Sequence, residues 1–255
     1  MDLRLQAFER LLNIMDDLRA KCPWDNKQSL ESLRYLSIEE VYELSDAILD
    51  KDMEEIKKEL GDIMLHLVFY AKIASETNQF NITDVLNGIS DKLVHRHPHI
   101  YGDVEATTEE EVKKNWEKLK LKEGKKSVLE GVPRSLPAMV KAVRIQEKVR
   151  GVGFDWDDRE QVWEKVHEEL EELKNEVRAG DKLKIEEEFG DFIFSLINYS
   201  RFIGVNPEDA LERTNKKFIH RFQKMEAVLK DQEKDLSNMT LSEIDVYWER
   251  AKSTI

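Results

Sequence analysis

The residues best suited to chemistry in this chain are carboxylates set at helical spacing. Glu169 and Glu172 are three apart, as are Glu188 and Asp191, so each pair projects from one side of a helix. Two adjacent helices would then aim four carboxylates at one point. Mutual repulsion makes such convergence costly unless protons or cations neutralise it, and hard oxygen donors suit Mg²⁺ or Mn²⁺ better than a soft metal. After Asp191 comes the run Phe192, Ile193, Phe194, Ser195, Leu196, Ile197, apolar nearly all round. It predicts a buried helix, with the acidic pair where that helix meets the core.

One Glu-Glu-x-x-Glu run in an acidic chain is ordinarily a solvated helix face. Here the pattern is duplicated. Glu39, Glu40 and Glu43 recur 129 positions later as Glu168, Glu169 and Glu172, and Glu59, Gly61 and Asp62 recur at the same offset as Glu188, Gly190 and Asp191. Further on, Lys92, His95 and Arg96 return as Lys217, His220 and Arg221, and Trp116, Glu117 and Lys120 as Trp248, Glu249 and Lys252. Glu40, Glu43, Glu59 and Asp62 are therefore a second candidate metal site beside Glu169, Glu172, Glu188 and Asp191.

A polyphosphate ligand on such a cation needs basic groups as well, since metal alone rarely holds all its oxygens. Lys217 and Arg221 are four apart and share a helix face. Lys165 lies four before Glu169 and Lys184 four before Glu188, either flanking the acids or making ordinary Glu–Lys helix pairs. Trp248 and Lys252 form another four-spaced pair, able to stack on a base and reach phosphate or ribose, though tryptophan at this spacing also suits a core. The first-half counterparts of Lys165 and Lys184 are Leu36 and Glu55, so the second half holds the more complete site.

The elements that must position these groups are helices. Ten glycines and five prolines interrupt long three-and-four periodicity, and no alternating valine- or isoleucine-rich run reads as a strand. The fold class is all-α, with helices expected over 2–20, 30–50, 53–77, 82–97, 109–122, 138–150, 158–179, 182–203, 207–231 and 241–253. Asn206 before Pro207, Thr240 with Glu243, and Thr108 with Glu111 read as helix starts. Gly124, Gly131, Pro133 and Pro137 mark a linker over 124–137, which leaves two tandem repeated helical-bundle domains, 1–123 and 138–255.

Composition narrows the function. A net charge of -13 disfavours extended nucleic acid as a partner. The single cysteine, Cys22, excludes an internal disulfide and a cysteine-based zinc site. No membrane-spanning apolar run occurs, and Asp2, Arg4, Glu9 and Arg10 leave no signal-peptide block, so the expected location is cytoplasmic. The His95–His99 segment has metal-ligand residue types, but Pro98 breaks its helix and Phe222 stands where a second His97 would fall. Glu164 and His167 make one Glu-x-x-His pair with no repeat, against a di-iron bundle. No Walker-type glycine loop is present.

Taken together, the duplicated Glu-Glu-x-x-Glu and Glu-x-x-Asp motifs, with Cys22-Pro23-Trp24-Asp25 and Arg96-His97-Pro98-His99, resemble the MazG nucleoside triphosphate pyrophosphohydrolases of the all-α NTP pyrophosphatase superfamily. The resemblance covers essentially the whole chain. It implies four-helix-bundle-like domains, a homodimer, Mg²⁺ as cofactor, and broad hydrolysis of ribo- and deoxynucleoside triphosphates to monophosphate and pyrophosphate, catalysed by the C-terminal half. Matched by position, it implies metal ligation by Glu169, Glu172, Glu188 and Asp191. Nucleotide contacts would come from Lys165, Val166, His167, Glu168 and Glu169, from Lys184, Ile185, Glu186 and Glu187, from Asp191, from Lys217, Phe218, Ile219, His220 and Arg221, and from Trp248 and Lys252. The expected mechanism is attack of a metal-activated water on the α-phosphorus, with Glu168 or Glu187 as the base. The rival readings are a narrow pyrophosphatase, acting on dUTP, dCTP or phosphoribosyl-ATP, and a nucleotide- or partner-binding regulator.

Overall fold

The computed structural model describes residues 2–108, 111–112, 115–116 and 127–252. Its helices form two compact units, Met1–Thr108 and Glu109–Ile255. Unit 1 contains α1 (Leu3–Lys21), α2 (Leu30–Asp50), α3 (Met53–Glu76), α4 (Ile82–Arg96) and the short α5 (Pro98–Tyr101). Unit 2 contains α6 (Ala138–Arg150), α7 (Arg159–Ala179), α8 (Lys182–Phe202), α9 (Pro207–Asp231) and α10 (Leu241–Lys252). Among the described residues there is no strand, so the all-α class holds. Of the helix expected over 109–122, only Glu111, Val112, Asn115 and Trp116 are described, all helical; Glu117 and Lys120 lie outside the described residues.

The central element of each unit is a tight helical hairpin. In unit 1, α2 starts on a Ser29–Ser32 capping box and α3 on Asp52, whose carboxylate accepts from the backbone N–H groups of Glu54 and Glu55. In unit 2, Asp158 accepts from the Gln161 N–H, and Asp181 from those of Leu183 and Lys184. Two residues join each pair of helices: Lys51 and Asp52 in one, Gly180 and Asp181 in the other. Both turns close through a left-handed residue, Lys51 at φ 58° and Gly180 at φ 78°.

Burial follows the apolar stripes. Met15 of α1 packs with Leu33, Val68 and Phe69, supported by Phe8, Leu11, Leu36 and Ile73, and so fixes α1 against the α2–α3 hairpin. Arg19, itself buried, pairs with Glu76 at 2.6 Å and donates to the carbonyls of Asp25 and Gln28, which pins the turn leading into α2. In unit 2, α6 lies against α8, and the Gln146 side-chain amide donates to the Phe194 carbonyl at 2.9 Å. A second cluster of Met225, Leu229, Tyr247 and Ala251 closes α9 on α10.

The run after Asp191 departs from expectation. Ser195 and Ile197 are buried, but Phe194 stays 40% and Leu196 36% exposed. The apolar residues circle the helix, whereas α7 and α6 are its main neighbours within the unit, so part of the outer face is uncovered.

Candidate active site

Helical spacing and the tight hairpins together bring the acids into register. In unit 2, Glu169 and Glu172 of α7 and Glu188 of α8 each offer an oxygen, all within 4.8 Å of one another. In unit 1, Glu40 and Glu43 of α2 and Glu59 of α3 do the same. Asp191 and Asp62 stand outside these groups of three yet act on them. Burial, then the charges of Glu172, Glu169, Asp191 and Glu176, push the Glu188 carboxyl above the usual carboxylate range. Glu40 is pushed up by burial and then by Asp62 and Glu43, and Glu43 by burial and then by Glu59 and Glu39.

These residues fit a hard divalent cation. Glu59 is 3% exposed, and its Oε2 is fully buried with no hydrogen-bond partner. An ionised oxygen in that position is costly unless a proton or cation meets it. Glu169 is buried as well. Three carboxylates converging on the reach of one ion, two of them carrying raised proton affinity, supply an all-oxygen donor set of the kind Mg²⁺ or Mn²⁺ takes.

The built-in cation differs between the units. Lys165 reaches Glu169 at 2.6 Å and Glu168 at 2.8 Å, and both carboxylates drive its pKa well above the usual lysine value. In unit 1, where Leu36 stands in its place, the lysine comes from the other helix: Lys58 of α3 lies 3.0 Å from Glu55 and 3.4 Å from Glu59. Lys58 occupies the position of Glu187. Comparing only the second-half lysines with their first-half counterparts misses this exchange. Lys184 pairs at 3.9 Å with Glu176, one turn beyond Glu172, and not with Glu188. Glu176 was not singled out from sequence, although its four-residue step from Glu172 was there to read.

The remaining expected contacts divide into two places. Around the acids, Glu168, Glu186 and Glu187 are exposed, Ile185 is half-buried, and the Val166 side chain is buried. The His167 ring meets Trp163 edge-on at 5.0 Å. On the α9–α10 pair, Lys217, Phe218, Ile219 and His220 are exposed, and Arg221 is half-buried with its Nε unpartnered. Trp248 packs into the α9–α10 core, 5.0 Å from the Phe218 ring, while Lys252 sits 5.9 Å from the Trp248 centroid and pairs with Glu249 at 2.5 Å. Neither Lys217 nor Arg221 makes an ion pair with the acids among the described residues, so within one chain the basic set and the acid triad lie on different hairpins.

Comparison with known proteins agrees with this duplicated architecture. The model of the MazG nucleotide pyrophosphohydrolase domain matches residues 28–101 and 158–225, one match on each hairpin. The chain is 45% identical over 250 residues to the nucleoside triphosphate pyrophosphohydrolase/pyrophosphatase MazG of Thermotoga maritima, covering 96% of this chain and 95% of that protein. It is 37% identical over 257 residues to the nucleoside triphosphate pyrophosphohydrolase of Escherichia coli K12, covering 97% and 98%. A Bacillus subtilis protein, YabN, is 42% identical over 258 residues, with 99% of this chain matching 53% of that protein. By its two domain matches and its end-to-end similarity to these relatives, the chain belongs to the MazG nucleotide pyrophosphohydrolase family.

Proposed function

We infer that this protein hydrolyses nucleoside triphosphates, ribo- and deoxy- alike, to the monophosphate and pyrophosphate with the help of Mg²⁺. The observation that carries the reading is the convergence of Glu169, Glu172 and Glu188 within 4.8 Å, beside a lysine already bound to two carboxylates. Relatives of full length carry the name nucleoside triphosphate pyrophosphohydrolase.

Glu169, Glu172 and Glu188, with Asp191 next to them, would hold the cation in unit 2, and Glu40, Glu43, Glu59 and Asp62 a second one in unit 1. When bound, such an ion neutralises phosphate charge and makes a coordinated water acidic. Lys165 holds Glu168 and Glu169 in place, so Glu169 is a prepared ligand and Glu168 is fixed beside it. Glu168 and Glu187 are the exposed acids flanking the triad, and one of them accepts the proton of the attacking water. Lys217 and Arg221, which make no ion pair with a carboxylate among the described residues, supply positive charge to the departing pyrophosphate. Trp248, half-buried against the α9–α10 core, would stack on a base only through the part of its ring left accessible, and such stacking tolerates any base, in keeping with broad specificity.

The same reading makes the protein a homodimer. A second copy covers the apolar residues the hairpins leave in solvent, among them Phe189 and Phe194 of α8. It also offers a way to bring a basic hairpin over an acidic one. A cytoplasmic location is in keeping with the free thiol of Cys22.

The deciding experiment incubates the purified chain with ATP and Mg²⁺ and resolves the products by ³¹P NMR. AMP and pyrophosphate are expected; ADP and orthophosphate would overturn the assignment of the cleaved bond. A panel of ribo- and deoxynucleotides then reads the breadth.

A further inference from the structure

The two acid clusters match in their carboxylates and differ in the positive charge already inside them. In unit 2, Lys165 stands 2.6 Å from Glu169 and 2.8 Å from Glu168, so an ammonium group is bound to one of the three converging carboxylates. The pairing runs within one helix, at steps of four and three residues, and only 35% of the lysine side chain is exposed. At such distances the ammonium and a divalent ion compete for the charge of Glu169. An ion that binds the three acids must bear the repulsion of the lysine or displace it.

In unit 1 the position of Lys165 is taken by Leu36, which packs against the core of Met15, Leu33, Val68 and Phe69. Lys58 approaches from α3, but its side chain is 63% exposed and lies 3.4 Å from Glu59 Oε1, farther than the 3.0 Å to Glu55. Solvent screens an exposed pair of this kind, which contributes little. The other oxygen of Glu59, Oε2, is buried and has no hydrogen-bond partner, on a residue 3% exposed. That oxygen points to a cation independently of the clustering: burial has stripped its water, and no donor of the chain meets it. Burial and the neighbouring carboxylates also raise the proton affinity of Glu40 and Glu43.

On the reading of both acid clusters as cation sites, we propose that Lys165 is a stand-in cation that sets the order of metal binding. Unit 1 takes Mg²⁺ tightly and without nucleotide, whereas unit 2 takes it weakly until a nucleoside triphosphate draws Lys165 away from Glu169. A triphosphate brings several anionic oxygens to the cluster, and each is an acceptor that the lysine can exchange for a carboxylate. Once the ammonium has turned to phosphate, Glu169 offers its full charge to the ion. Nucleotide and Mg²⁺ then each strengthen the binding of the other in unit 2, and metal loading of that unit follows the substrate.

Two measurements on the full chain test this. Calorimetry with Mg²⁺ alone follows unit 2 in a chain whose unit 1 is silenced by Glu40→Gln and Glu59→Gln. There Lys165→Met should raise Mg²⁺ affinity at least about tenfold, within the span usual for coupled sites. In the converse chain, with Glu172→Gln and Glu188→Gln, Lys58→Met should change the affinity of unit 1 by less than about threefold, as an exposed pair would. The second measurement needs no variant: substoichiometric Mn²⁺ is added to the wild-type chain while the methyl NMR signals of both hairpins are followed. Paramagnetic broadening should appear on α2–α3 first, and on α7–α8 only after addition of α,β-methylene-ATP, whose α–β bridge cannot be hydrolysed. Unchanged or weaker Mg²⁺ binding in Lys165→Met, or broadening without nucleotide that does not favour α2–α3, overturns the role of Lys165 and leaves the clusters as cation sites. A wild-type chain that binds no divalent ion on either hairpin, with or without nucleotide, overturns the cation reading itself.

Discussion

At Glu188, burial and four neighbouring carboxylates all act against the charged form, and no lysine pairs with it among the described residues. Its folded-state pKa is therefore above its unfolded value. Between those two values the folded chain binds the extra proton, so stability from this group is present at low pH and is lost as pH rises through the window. Glu188→Gln removes that loss. In EDTA at neutral pH the variant should melt a few degrees above wild type, and the gap should close only below about pH 3, well under the ordinary glutamate pKa, where the group is protonated in both states. Added Mg²⁺ should reverse the order, because only wild type keeps the full ligand set and gains binding energy. Thermal melts of both chains across this matrix check it; a variant no more stable than wild type in EDTA at neutral pH would show that the acids do not strain one another. Part of this site was legible in the sequence. Three-residue spacing aligns Glu169 with Glu172, and the repeat singles them out from other acidic faces. The Lys58–Lys165 exchange was not, because a repeat draws attention to positions that match and these are positions that differ.

At the scale of an element, the two hairpin turns offer a matched comparison. Lys51 and Gly180 are equivalent, and both adopt left-handed backbone, at φ 58° and φ 78°. For a residue with a Cβ this conformation costs about 1–2 kcal/mol, part of which glycine gives back through its greater freedom in the unfolded chain. A Cβ at Gly180 would meet nothing within 4 Å, so the cost there is one of backbone alone. Lys51→Gly should therefore stabilise the chain by about 0.5–1 kcal/mol and Gly180→Lys should destabilise it by a similar amount. Denaturant titration of both variants reads this, and equal midpoints for all three chains would contradict it. The turns and caps are also why the helices were readable beforehand. Asn206 accepts from the N–H groups of Glu208 and Asp209, and Thr240 exchanges bonds with Glu243, as their positions before apolar stripes foretell. The open face of α8 was not readable, since periodicity reports which residues are apolar and not whether another helix lies over them.

At the scale of the whole molecule, the apolar faces left in solvent bear on assembly. On α2, Tyr35, Ile38 and Tyr42 follow one another at three- and four-residue steps, and on α3 Leu60, Met64 and Leu67 do so too; all six are exposed. Two stripes on the outside of one hairpin match the surface that a like hairpin would need, and a two-fold pair of hairpins forms a four-helix arrangement in which each copy covers the other. Two chains of net charge -13 repel, so such a dimer must be held by apolar burial. Light scattering should then give twice the 30.0 kDa of one chain, and raising NaCl to about 1 M should tighten association by screening the repulsion, whereas a dimer held by ion pairs would loosen. Leu60→Glu combined with Met64→Glu places like charges across the two-fold and should weaken the dimer, with the helical content of each chain retained by circular dichroism. A wild-type chain that scatters as 30.0 kDa at micromolar concentration would overturn the dimer, and with it the means by which the α9–α10 lysines and arginine would meet an acid triad on another hairpin.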